Sequence, residues 1–109
     1  MTTRMKYTDV FSSIRNVAMK LKPENGKIIL FGSQARGDAH ENSDWDILVL
    51  LDKDKIEVID HDKFTYPFWE LGWEINAMIH PIVYTSKEWS TLSHTPFRDN
   101  VELYGIVLC

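Results

Sequence analysis

Cysteine is almost missing from this sequence: its 109 residues hold one, Cys109, in the last position. A disulfide framework and a thiolate zinc site both need several, so neither can be built. Long apolar runs are missing too, and none approaches the roughly 20 residues that cross a bilayer. The opening MTTRMKYTDV has no apolar core of signal-peptide length, which sets the expectation of a cytoplasmic protein without membrane contact. An excess of positive charge is lacking as well. Lys and Arg number 12 against 16 Asp and Glu, for a net charge of −4, which argues against direct nucleic-acid binding through a general field. A local basic group can still meet a phosphate. With no repeat, linker or low-complexity tract, a 44% hydrophobic chain of this length is expected to form one domain over residues 1–109.

The apolar spacing of Val10, Phe11, Ile14, Val17, Ala18 and Leu21 predicts an amphipathic first helix. Thr8 or Asp9 is a candidate cap, and Pro23 with Asn25-Gly26 ends it. KIILF (27–31) and DWDILVLL (44–51) read as buried strands, and DKDK (52–55) as a solvated turn. Residues 56–73 suit a helix that Pro67 must kink or restart. EINAMIHPIVYT (74–85) is expected to be a third strand, with Pro81 at an edge or bulge. Thr85 or Ser86, followed by Glu88, marks a short helix, and the tail from Thr95 suits a helical turn or two ending near Gly105. This order predicts an α/β or α+β sheet with helices on one side.

Between the first two strands lies GSQARGDAHENSDWD. Side chains two apart on a strand share a face, so Asp44 and Asp46 project together while Trp45 and Ile47 point the other way. Two carboxylates so close repel one another unless a cation neutralises them. Magnesium prefers such oxygens and is usually shared with substrate phosphates. Upstream, the Gly32-Ser33 turn offers backbone amides and a hydroxyl to phosphate oxygens, and glycine lets a ligand approach closely. Arg36 either contacts phosphate or braces the turn through Asp38 or a strand aspartate. A lone D-x-D can simply begin a strand, and a lone G-S is weaker still. The two together at short distance indicate a nucleoside triphosphate site with magnesium.

GSQARGDAHENSDWDILV resembles the signature of the DNA polymerase β-like nucleotidyltransferase superfamily, and the short length resembles its minimal nucleotidyltransferases. The weaker HPIVYTSKEW and TPFRDNVELYGI extend the likeness through most of the chain. The resemblance implies a small mixed sheet flanked by helices, and magnesium-dependent transfer of a nucleoside monophosphate, AMP from ATP, to a hydroxyl of a protein or small molecule. Gly32 and Ser33 match the phosphate turn, and Asp44 and Asp46 match the metal pair, which holds two ions in active members. Many minimal members resemble the antitoxin of a toxin–antitoxin pair whose toxin is a helical HEPN ribonuclease.

One departure divides the possibilities. The superfamily's third carboxylate position falls here on His80, a possible ligand or base near neutral pH but a poorer magnesium ligand. Glu74, six residues earlier on the expected strand, would stand roughly 20 Å away. Either His80 takes over, another carboxylate is supplied from outside, or the chain is a binding module that neutralises its toxin by contact. His40, His61 and His94 share no spacing and read as surface. Trp69 and Trp73, four apart, are expected to pack one helical face, and Trp45 and Trp89 to lie in a core or interface. Leftover apolar surface would favour a partner or self-association.

Overall fold

The computed structural model describes residues 6–40 and 42–109. Helix α1 (Tyr7–Leu21) buries Val10, Ile14 and Ala18, one stripe of the expected pattern. Its cap differs from expectation. Lys6 occupies the N-cap without a side-chain bond, so Thr8 and Asp9 lie inside the first turn, where Asp9 faces the positive end of the helix dipole.

Strand β1 (Lys27–Phe31) leads through α2 (Ser33–Arg36) to β2 (Trp45–Leu51), which runs antiparallel to it with Leu30 opposite Ile47 and Phe31 opposite Asp46. Then come α3 (Val58–Phe64) and α4 (Tyr66–Ile75), with Pro67 in the first turn of the second. Proline is tolerated there because first-turn amides have no partner inside a helix. The ambiguous stretch is thus two helices joined at Thr65.

The third strand is shorter than expected. Glu74 and Ile75 end α4, Asn76 turns the chain in the left-handed conformation at φ 56°, and β3 spans Ile79–Thr85. It runs parallel to β2 at the sheet edge, where Pro81 lacks only an outward-facing amide. Helix α5 (Ser86–Thr91) starts with a capping box in which Thr85 and Glu88 exchange bonds, as expected. Helix α6 (Pro96–Tyr104) ends at Gly105. The tail then adds a strand that the sequence did not suggest, β4 (Ile106–Val107), antiparallel to β1. The mixed sheet has the order β3-β2-β1-β4.

Helices cover both faces of this sheet rather than one. Trp45, Ile47 and Val49 of β2 meet Ile14 of α1, Phe64 of α3 and Phe68 of α4. Leu48 and Leu50 point the other way, toward Trp89 of α5 and Val101 of α6. Strand β2 is therefore apolar on both sides, which explains its unbroken run.

Candidate active site

Gly32 leaves β1 with φ 77° and ψ −161°, a conformation essentially reserved for glycine. A Cβ there would collide with Asp46 Oδ2. The missing side chain thus brings the turn against the second aspartate. Ser33 opens α2, and the Arg36 and Gly37 amides close it by donating to the Gly32 and Ser33 carbonyls, each at 3.0 Å. Gln34 is buried behind the turn. Its Nε2 donates to the Ser43 carbonyl at 3.1 Å, and the Tyr7 hydroxyl donates to the Gln34 backbone carbonyl at 2.9 Å. Neither residue stood out in the sequence: Gln34 is a buried polar anchor, which leaves no apolar periodicity, and Tyr7 is an exposed residue whose partner lies far along the chain.

Asp44 lies one residue ahead of β2 and Asp46 within it. Trp45 donates its amide to the Met78 carbonyl at 2.8 Å, which brings this end of β2 beside β3. The register then sets Asp46 opposite His80, in the row Phe31–Asp46–His80 across three strands. His80 Nε2 stands 3.3 Å from Asp44 Oδ2. Glu74 is on α4 and shares no strand face with these groups, which removes it as the expected distant alternative.

Burial is the main influence pushing the Asp46 carboxyl above the usual range. Asp44 adds to it, while His80 and Arg36 oppose. Loss of water and a like charge penalise the same ionised group, a situation that a cation relieves. The donors are two carboxylates beside an imidazole, but no three His, Cys, Asp or Glu among the described residues form a metal cluster. A hard cation that takes most of its oxygens from substrate phosphates and water fits such a site.

Arg36 Nε lies 3.4 Å from Asp38 Oδ2 at an exposed position. His40, His61 and His94 are exposed, as expected. The tryptophans of α4 depart from expectation. Trp73 is 68% exposed and meets Tyr66 edge-on, and Trp69, 37% exposed, turns its ring to His80 at 5.7 Å. A cavity of about 800 Å³ lies behind the turn, lined by Tyr7, Gln34, Trp45, Asn76 and Met78. It excludes both aspartates and His80, which occupy an open ledge of the sheet.

Residues 12–106 match the nucleotidyltransferase domain family. The chain belongs to that family. This nucleotidyltransferase is 34% identical over 92 residues to MJ0141 of Methanocaldococcus jannaschii, described as a candidate protein adenylyltransferase, covering 84% of the present chain and 87% of the relative. A second protein of that organism and description, MJ0604, is 65% identical over 53 residues, or 49% of this chain and 51% of its own. Among solved structures, a toxin–antitoxin with AMP-PNP superposes with a TM-score of 0.56 at 24% identity, over 87% of this chain and 72% of that one. A mutant of the MntA–HpeT toxin–antitoxin gives 0.57 at 20% identity, over 96% and 73%. The two superpositions place the nucleotidyltransferase among proteins of the same fold.

Proposed function

We propose that this nucleotidyltransferase transfers AMP from magnesium-ATP to a hydroxyl of a protein acceptor. The observation that carries the proposal is the Gly32 turn at the end of β1 held against Asp46 of β2, with His80 of β3 opposite Asp46 and its Nε2 3.3 Å from Asp44. The description of the relative MJ0141 supports a protein acceptor and an adenylyl group. The sequence resemblance to minimal nucleotidyltransferases leads us to extend the proposal to an antitoxin role opposite a helical HEPN-type toxin, and the two structures of the same fold come from toxin–antitoxin pairs. Over residues 1–109 the chain would then act as one nucleotidyltransferase domain.

Each residue has a distinct task. The Gly32-Ser33 turn seats the β- and γ-phosphates through backbone amides and the Ser33 hydroxyl, while Arg36 steadies the turn through Asp38. Asp44 and Asp46 hold magnesium, which when bound neutralises charge between carboxylates and phosphates. The acceptor oxygen bonds to the α-phosphorus as the bond to the bridging oxygen breaks, and pyrophosphate leaves with that electron pair. His80 takes the acceptor's proton, since a neutral imidazole always keeps one nitrogen free to accept. Positioning and charge neutralisation carry most of the acceleration.

Thermal unfolding with and without magnesium-ATP tests this, with Asp44→Asn/Asp46→Asn alongside. A ligand at a hundred times its dissociation constant stabilises the folded state by about 2.7 kcal/mol. The parent is expected to show a magnesium-dependent rise that the double variant lacks. Equal behaviour of the two folded proteins rejects the site.

A further inference from the structure

In-line attack requires the entering hydroxyl to sit opposite the departing pyrophosphate. Gly32 and Ser33 follow β1, Asp46 belongs to β2 with Asp44 just ahead of it, and His80 lies on β3 at the sheet edge. If β- and γ-phosphates occupy the turn, the line from leaving group through the α-phosphorus runs across the sheet from β1 toward β3. Adjacent strands are about 4.8 Å apart, so the attacking oxygen comes in on the His80 side. On that side the Trp69 ring of α4 stands edge-on to His80, with centroids 5.7 Å apart and planes at 89°. Tyr66 and Trp73 extend this wall, at three residues before it and four after on the same face of α4.

We propose that Trp69 is a specificity-determining residue on the acceptor side. The hydroxyl it admits is one flanked by apolar side chains on a protein, rather than one on a polyhydroxylated amine. Three facts support this. The nucleoside is attached to the α-phosphorus off the line of attack, so the in-line direction belongs to the acceptor. An indole ring that stays more than one-third exposed beside the reacting groups offers a large apolar contact with little side-chain entropy to lose. Its two exposed aromatic neighbours provide more apolar length than a single sugar ring covers, and match a short peptide segment. The inference rests on the nucleotide site proposed above and adds the acceptor's side of it.

The test uses ATP with N-acetyl-Leu-X-Leu amides, where X is serine, threonine or tyrosine, against their Gly-X-Gly counterparts and kanamycin. The parent is expected to prefer a leucine-flanked peptide at least tenfold in kcat/KM. Trp69→Ala is expected to lose that preference through a raised KM while keeping the magnesium-ATP thermal shift, and Trp69→Phe to restore most of it. The inference is overturned if the parent uses both peptide sets equally, prefers kanamycin or accepts none of them with its thermal shift intact. It is also overturned if Trp69→Ala loses the thermal shift, which would make the ring a nucleoside contact. An equal fall in kcat for both peptide sets overturns it too, because Trp69 would then only prop His80. Absence of the shift in the parent instead defeats the underlying nucleotide site, and this inference with it.

Discussion

At Gly32 the backbone and the neighbouring carboxylate both demand a hydrogen for a side chain. Its φ of 77° is strained for any L-residue, and a Cβ would meet Asp46 Oδ2. Such strain costs about 1–3 kcal/mol. Gly32→Ala is therefore expected to lower the urea midpoint and, by displacing Asp46, to abolish the magnesium-ATP thermal shift. A variant that is destabilised but keeps the full shift would separate the glycine from the site. At this scale much was legible, because Gly32, Ser33, Asp44 and Asp46 are residue types whose chemistry survives without knowledge of the fold. What escaped was contact across the chain: Gln34 under the turn, Tyr7 braced to it from α1, and Trp69 beside His80. Residue type and spacing carry no trace of a neighbour 27 positions away.

Elements were legible where one local cause decides them, as at Pro67, Thr85 and Gly105. They were obscured where the cause lay elsewhere, and the charged turn after β2 is an example. DKDK reads as solvated surface, and Asp52, Asp54 and Lys55 are exposed, but the sequence did not show that Lys53 Nζ reaches Asp60 Oδ2 at 2.8 Å. The same carboxylate oxygen accepts the Glu57 amide at 2.8 Å, as half of the capping box that starts α3. The Lys53 hydrogen bond, followed by that from Glu57, holds the Asp60 carboxyl below the ordinary range. A depressed folded value favours the ionised native state. This contribution is present above the unfolded value, near 3.9, and disappears as pH falls through the folded one. Asp60→Asn is expected to melt lower than the parent at pH about 7, with the gap narrowing toward pH about 3. Circular-dichroism melts across that range read it directly. A gap that stays constant would assign the loss to geometry instead of charge.

For the whole molecule, the decisive fact is that β2 is covered on both sides. An unbroken apolar strand already implied burial of both faces, but the helices that cover them could not be assigned from the sequence, because α5 and α6 are short and their apolar residues few. Expecting helices on one side did not say what would cover Leu48, although its strand read as buried. In the structure Leu48 and Phe68 are both fully buried, in clusters on opposite faces. Deleting a buried leucine or phenylalanine to alanine costs roughly 2–5 kcal/mol, whereas a surface substitution stays within about 0.5. Leu48→Ala is thus expected to destabilise to a degree comparable with Phe68→Ala in urea unfolding. The consequence reaches the site, because Leu48 lies two residues from Asp46 on the same strand face. The α5–α6 layer that buries Leu48 packs on the face of β2 that carries Asp46 opposite His80. If Leu48→Ala costs no more than a surface change, that layer is not packed against the sheet. The row of groups on which the proposed chemistry depends would then lose its support.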